Sequence, residues 1–169
     1  MTVPTIFWVI DTSSIIAVRR LIPRTDQPAV FRRLDALVTS DSLVYPAQVI
    51  DELERYSDVS SGNPDLPFQW AKKNQVRATR YGPQFEKVRE VLAHPQVRNI
   101  LDPDKTGVEE ADPYVLGLAM YLKDQGDVTV ITEERRDRPG KLSMNTACGL
   151  LRMYCLSMEP FLAEQGIWP

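Results

Sequence analysis

Four short apolar runs, separated by longer amphipathic stretches, constrain the fold of this chain most strongly. The runs have the composition of β-strands and cover residues 5–10, 42–45, 128–132 and 153–157. The first of them, TIFWVI, is apolar throughout, as expected of a strand that is buried on both faces. Strands that alternate with helical segments are typical of a parallel sheet with helices on both sides. We therefore predict an α/β fold, a three-layer α/β/α sandwich with a mainly parallel sheet of about four to five strands.

The stretches between the runs predict helices, which we place at 14–21, 28–40, 47–57, 66–80, 83–93, 112–124, 145–151 and 159–166. Trp70 and Phe85 are the expected apolar anchors of two of them. The polar, turn-rich stretch SDVSSGNPDLP at 57–67 predicts a loop. Region 58–108 contains no predicted strand, and we interpret it as a helical insertion over the sheet edge that can cover a crevice.

Length and composition indicate one domain, residues 1–169, because 169 residues with 43% apolar content suit a single globular core. Cys148 and Cys155 fit neither a disulfide framework nor a zinc pattern, which indicates reduced core residues of a cytoplasmic protein. The opening apolar run is too short to cross a bilayer and lacks a basic leader, so we expect no membrane association. His94 is expected in a loop or at the surface rather than as a general base.

Four acidic residues stand at the edges of apolar runs: Asp11, Glu52, Asp112 and Glu134. Two of them follow predicted strands, and the other two lie at or near the starts of predicted helices. In an open α/β sheet these positions converge on one crevice. Carboxylates gathered there repel one another, and a hard divalent ion such as Mg²⁺ suits them. The formal net charge of −3 is unlike that of most nucleic-acid binders, although a bound ion would offset part of it.

Each acid also has a structural alternative. Asp11 can cap the helix that follows it, a task for which Thr12 and Ser13 are equally suited. Ser13 can also bond water or a phosphate. Asp51 lies beside Glu52, and because neighbouring helical residues point about 100° apart, only one of the two can face the sheet. A surface salt bridge is the alternative for Glu52.

The other two acids leave similar choices. Asp112 before Pro113 fits a helix N-cap, and this is compatible with metal binding because a helix start favours negative charge. Glu133 and Glu134 both follow the third strand. Strand alternation and their spacing from Thr132 favour Glu134 as the residue that faces the crevice.

These motifs, taken in order, resemble the PIN domain. The matching strings are DTS after an apolar strand, VIDELER within a helix, ADPYVLGLA at a helix start, and a strand that ends in T-x-acid. The chain is most similar to a subgroup of bacterial and archaeal PIN-like proteins with DELER-, ADPYV- and VITEE-like strings, which also share the segment KLSMNTACGLL. The similarity extends over about residues 5–165.

The resemblance implies a Mg²⁺- or Mn²⁺-dependent ribonuclease whose catalytic and metal-binding residues are Asp11, Glu52, Asp112 and Glu134, supported by Ser13, Thr132 and Glu133. Asp11 and Asp112 are the expected principal ligands. Glu52 and Glu134 are expected to bind a second ion or to hold waters around the first. One departure matters, because most PIN enzymes have aspartate where this chain has Glu134.

The same resemblance implies an RNA substrate, held through its phosphates by basic side chains and cut in single-stranded or loop regions. The candidate RNA contacts are Arg19, Arg20, Lys72, Lys73, Arg135 and Arg136; the alternative is that these residues only solvate helix faces and loops. Many small PIN proteins are VapC-like toxins, which adds an antitoxin protein as a partner and admits a homodimer.

Two other functions are alternatives. A phosphatase of the haloacid-dehalogenase type needs a second aspartate two residues after Asp11, where Ser13 stands instead. A PIN fold that has lost catalysis and acts only by binding RNA or protein is the remaining alternative, and the departure at Glu134 leaves it open.

Overall fold

The sheet has four strands. The structure, a computed structural model, describes residues 5–57 and 65–167. Within these ranges the strands are Ile6–Ile10 (β1), Leu43–Val44 (β2), Asp127–Ile131 (β3) and Tyr154–Leu156 (β4). They lie side by side in the order β2-β1-β3-β4, and every neighbouring pair is parallel. The predicted parallel α/β sheet is therefore confirmed, and each strand lies within two residues of its predicted bounds.

Helices flank this sheet in a three-layer α/β/α sandwich. Their bounds are Thr12–Leu21 (α1), Gln27–Thr39 (α2), Ala47–Tyr56 (α3), Leu66–Lys73 (α4), Gln75–Ala78 (α5), Phe85–Ala93 (α6), Asp112–Lys123 (α7), Met144–Leu150 (α8) and Met158–Glu164 (α9), with a 3₁₀ turn at Val97–Ile100. No helix among the described residues combines the length and the apolar character that crossing a membrane requires.

The central strand β1 brings the carboxyl ends of the strands together. Val9 and Ile10 are fully buried, because β1 has neighbours on both sides and helices over both faces. Ile10 pairs with Ile131 at the end of β3, and the next residue, Asp11, donates its N–H to the Ile131 carbonyl at 3.0 Å. The residues that follow β1 and β3 are consequently neighbours at one edge of the sheet.

The predicted helix at 66–80 is wrong, because it is broken at Asn74. The Asn74 side chain donates to Asp35 of α2 at 2.8 Å and to the Trp70 carbonyl at 2.9 Å, so its hydrogen bonds separate α4 from α5. Trp70 is a buried anchor, with its ring 5.5 Å from that of Tyr45. Phe85 was expected to be the second anchor, but its side chain is exposed.

The described part of the predicted insertion, from residue 65 onward, is helical; residues 58–64 of that prediction lie outside the described ranges. Its last part braces the loop that follows β3. Leu142 donates its N–H to the Asn99 carbonyl at 2.7 Å, and Arg138 donates to the Asp102 carboxylate at 3.1 Å. The insertion thus holds the loop that follows β3 in place at the carboxyl ends of the strands.

The histidine and the cysteines have structural surroundings. His94 accepts backbone N–H bonds from Gln96 and Val97 at Nδ1, which closes the end of α6. Cys148 is buried, Cys155 is partly buried, and both are free thiols.

Candidate functional site

Asp11 lies directly after β1 and is almost completely buried. Its Oδ1 accepts bonds from the Ser13 hydroxyl at 2.7 Å and the Ser14 N–H at 3.1 Å, while its Oδ2 accepts a bond from the Thr132 hydroxyl. The helix therefore begins at Thr12, two residues before its predicted start at 14, and its cap is Asp11 rather than Thr12 or Ser13. Capping and a place in the crevice coexist at this carboxylate.

Glu52 and Asp112 meet where α3 passes the start of α7. Glu52 is buried and its Oε1 accepts the Ala111 N–H at 2.6 Å, whereas Asp51 is exposed. Ala111 occupies the N-cap position, so the alternative of Asp112 as the cap is wrong. Asp112 instead lies in the first turn, and its Oδ2 accepts a bond from the Lys141 ammonium at 3.0 Å.

The two glutamates after β3 point in different directions. Glu134 accepts a bond from the Lys141 ammonium at 3.2 Å, which places its carboxylate beside the Asp112 side chain. Glu133 accepts the Met158 N–H at 2.6 Å, at the start of α9, and a bond from Arg20 at 3.1 Å. The structure thus brings Glu134 into the crevice and uses Glu133 to join α1 and α9.

Two hydroxyls tie the strand ends to each other. Ser13 accepts the Glu133 N–H at 3.0 Å, and Thr132 accepts the Glu134 N–H at 3.1 Å. The same hydroxyls donate to opposite oxygens of Asp11. Ser13 and Thr132, two of the three supporting residues predicted from the sequence, therefore fix the orientation of the Asp11 carboxylate.

The residues of this crevice come from chain positions 11 to 141, and a family model matches residues 8–168. The chain belongs to the family described as "Domain of unknown function (DUF4411)". Among solved structures, the crystal structure of PAE2754 from Pyrobaculum aerophilum is similar over 96% of this chain and 90% of that chain, at 12% identity and a TM-score of 0.47. No curated protein matches the chain.

The buried acids of this DUF4411 chain repel one another. Burial raises the pKa of Asp11 to about 8, and the nearby charge of Asp112 adds to the effect, although the hydrogen bonds oppose it. The pKa of Asp112 is also raised, to about 7. The main cause is burial and the second is the charge of Glu134, and the Lys141 ammonium offsets only part of their combined effect. When they are ionised, the crevice acids carry more negative charge than the single ammonium of Lys141 compensates.

Lys141 is the crevice residue that sequence reasoning missed. Its side chain is only 6% exposed, although it ends RRDRPGK, a segment whose composition is typical of a charged turn. Burial alone would lower the pKa of Lys141, but the carboxylates of Asp112 and Glu134 outweigh burial and raise it. The sequence contains one hint of this position. Lys141 directly follows the Pro139–Gly140 turn, and the backbone bonds across that turn fix the direction of the lysine.

The carboxylate oxygens of the crevice are suitable ligands for a hard divalent ion, although two of the four carboxylates already have hydrogen-bond partners that hold other parts of the structure. Within residues 5–57 and 65–167, no group of three or more His, Cys, Asp or Glu side chains is close enough to hold an ion. Glu52 bonds to Ala111, and Glu134 bonds to Lys141. Asp11 and Asp112 are crevice carboxyls with raised pKa values, and their chemistry fits Mg²⁺ or Mn²⁺, which bind through one or two carboxylates.

The basic residues predicted to contact RNA fall into two groups. Arg135 and Arg136 are exposed and line a cavity of about 490 Å³ together with Glu134 and Lys141. The other predicted contacts lie on α1 and α4, where Lys72 is exposed and the remaining three form the ion pairs Arg19–Asp65, Arg20–Glu133 and Lys73–Asp35. Of the six predicted RNA contacts, Arg135 and Arg136 are therefore the two that line this cavity.

Proposed function

We propose that this protein is a divalent-metal-dependent endoribonuclease of the PIN-like type, which hydrolyses RNA phosphodiester bonds. The observation that carries the proposal is a buried Asp11 within range of the charge of Asp112, whose side chain is 16% exposed, at the carboxyl edge of a parallel sheet. Ligands bind at this edge in open α/β folds. Strongly perturbed carboxyls in such a crevice are typical of functional sites.

Asp11 and Asp112 are the residues that would hold Mg²⁺ or Mn²⁺. The ion, when bound, supplies positive charge that makes water a better nucleophile and stabilises the charge on the phosphate. Ser13 and Thr132 keep the Asp11 carboxylate in one orientation through their hydrogen bonds. Glu52 holds the start of α7 through the Ala111 N–H, and so fixes the neighbouring Asp112.

The cavity beside the acids suits a nucleic-acid backbone. Arg135 and Arg136 offer exposed guanidinium groups there, and RNA phosphates are their natural partners. In the reaction, a water oxygen bonds to phosphorus, the bond from phosphorus to one ribose oxygen breaks, and that oxygen takes up a proton. We expect an unpaired segment, because sequence-specific RNA recognition mostly targets single-stranded loops, bulges and ends.

A cleavage assay on total RNA tests the proposal. We expect cleavage with Mg²⁺ or Mn²⁺, none with EDTA, and none for Asp11→Asn. Asp41→Asn makes the same chemical change at the opposite end of the sheet and should cleave like the wild type. RNA binding without cleavage under every metal condition would favour the catalytically inactive binding module, and cleavage that persists in EDTA would contradict a metal-dependent enzyme.

We also propose that the enzyme is the toxin of a toxin–antitoxin pair, a role supported by the PIN-like resemblance. Expression of the wild type in a bacterial host should then arrest growth, while expression of Asp11→Asn should not. Growth arrest by both proteins, or by neither, would contradict the toxin role and leave the nuclease to be judged by the cleavage assay.

A further inference from the structure

One ammonium group is built into the acidic crevice. Lys141 donates to Asp112 Oδ2 at 3.0 Å, to Glu134 Oε2 at 3.2 Å and to the Leu142 carbonyl at 3.1 Å. A lysine ammonium has three N–H donors, so these contacts use all of them. With the side chain 6% exposed, the charge belongs to the crevice rather than to solvent.

The fold holds this lysine in place before any ligand binds. Arg138 and Lys141 exchange backbone hydrogen bonds of 2.9 and 3.0 Å across the Pro139–Gly140 turn. Gly140 has a φ of +75°, a left-handed conformation that glycine adopts without steric cost. The Asn99 and Asp102 contacts described above fix the two sides of the same loop. Lys141 is therefore a preorganised positive charge.

Lys141 occupies the position that a second cation would take between Asp112 and Glu134. Glu134 and Asp112 are the carboxylates on one side of the crevice, and the lysine bridges them as an ion would. Leaving two such carboxylates unpaired and partly buried is costly, because like charges at close range repel strongly away from water. A fixed ammonium offsets part of that repulsion without any metal.

We propose that Lys141 is a tethered cation that takes the place of a second divalent ion, so that the crevice binds one ion, at Asp11 and Asp112. This inference rests on the proposed function, since it assumes that the first ion binds. Lys141 also lines the cavity that contains Arg135 and Arg136. A phosphate that enters there meets a positive charge already in position, which stabilises developing negative charge without reorganisation.

Calorimetric titration with Mn²⁺ tests the inference, using wild type, Lys141→Met and Lys87→Met. Lys87 forms a surface pair with Glu90 and is the control for losing one lysine. We expect one Mn²⁺ per chain in the wild type and in Lys87→Met, and two in Lys141→Met. One ion in Lys141→Met, or two ions already in the wild type, would overturn the inference.

The outcomes separate this inference from the proposed function. Two ions in the wild type would leave a metal-dependent nuclease standing and remove only the role of Lys141. No Mn²⁺ binding by the wild type would contradict both proposals.

Folding of the variants is a second readout, followed for Lys141→Met and the milder Lys141→Gln. If either unfolds in EDTA, recovery of the folded state with millimolar Mn²⁺ supports the inference, because an ion then replaces the ammonium. A variant that stays unfolded at every Mn²⁺ concentration overturns it.

Discussion

The two ends of the sheet surround their acidic residues in opposite ways. At the amino end, just before β2, Asp41 accepts a bond from Arg77 at 2.9 Å and has Arg80 at 3.6 Å, and the bond from Arg77 lowers its pKa. At the carboxyl end, burial and the charge of Asp112 raise the pKa of Asp11 to about 8. The same residue type is thus stabilised as an anion at one end and destabilised at the other.

This contrast separates a structural acid from one kept for binding. Asp41 is exposed and has arginine partners of its own, so it needs nothing from outside the chain. In the crevice, Asp11 is buried among hydroxyl and backbone donors, and Asp112 and Glu134 share one lysine, so an external cation still has negative charge to compensate. Asp11→Asn and Asp41→Asn make a matched pair of variants, because asparagine also tolerates the φ of +66° at position 41.

The largest expected difference between the two variants is in RNA cleavage. Asp11→Asn removes an ionised ligand from a site that supplies several kcal/mol of transition-state stabilisation, so its rate should fall about 100-fold or more. Asp41→Asn should retain the wild-type rate. The measurement is initial rates on a single-stranded RNA with Mn²⁺, with melting curves to show that both variants are folded. Equal rates for wild type and Asp11→Asn would break the contrast.

The next difference is in the response of stability to metal. At about 100 times its Kd, Mn²⁺ should add about 2.7 kcal/mol to the free energy of unfolding. For a domain of this size, that raises the Tm by roughly 5–10 °C. Thermal melts with and without Mn²⁺ should show this rise in the wild type and in Asp41→Asn, and a smaller rise in Asp11→Asn. A wild-type Tm that does not change when Mn²⁺ is added would contradict the proposed metal site.

A smaller effect is expected from pH in metal-free protein. Asp11 ionises at 3.8 in the unfolded chain and at about 8 in the folded one, so the folded state binds more protons between these values. The free energy of unfolding should therefore fall as pH rises from about 5 to about 8, by at most about 1.4 kcal/mol per pH unit for this acid. Asp112, whose pKa is raised to about 7, contributes in the same direction.

The variants sharpen that test. Asp11→Asn should flatten the decline, as measured by urea unfolding in EDTA. The lowered pKa of Asp41 adds stability that is lost only as the solution is acidified below the ordinary range of an aspartate, so Asp41→Asn should keep the wild-type slope above about pH 5. A slope unchanged by Asp11→Asn would show that other groups cause it.

The smallest effects should distinguish the neighbouring glutamates. Glu134→Gln alters a carboxylate of the crevice and should lower the rate of RNA cleavage. Glu133→Gln weakens the bonds to Met158 and Arg20 and should cost about 1 kcal/mol of stability with little change in rate. The measurements are cleavage rates and urea unfolding of both variants. A larger loss of rate for Glu133→Gln than for Glu134→Gln would show that Glu133 is the glutamate that takes part in cleavage.

Much of the fold could be predicted because burial leaves a direct trace in the sequence. β1 is covered on both faces, so its five residues form an unbroken apolar run. The break at Asn74 could not be predicted, since it depends on Asp35, far along the chain. The exposure of Phe85 could not be predicted either, because periodicity shows where apolar residues lie along a helix but not whether another part of the chain packs against them.

The site was predictable to the extent that strand ends and helix starts define it. Asp11, Asp112 and Glu134 follow from those positions, and helical spacing left Asp51 or Glu52 open until packing selected Glu52. Lys141 was missed, because its bond to Asp112 spans 29 residues and the Pro-Gly turn before it does not show which side chains it meets. The structure therefore adds a cation to a site that the sequence described only by its acids.

The most direct test of this account is the amount of Mn²⁺ bound by wild type, Asp11→Asn and Asp41→Asn, measured from the electron paramagnetic resonance signal of free Mn²⁺. We expect the wild type and Asp41→Asn to bind Mn²⁺ with the same affinity, and Asp11→Asn to bind it about tenfold more weakly or not at all. Absence of binding by the wild type, or equal affinity in Asp11→Asn, would contradict the claim that the carboxyl end of the sheet is a divalent-cation site.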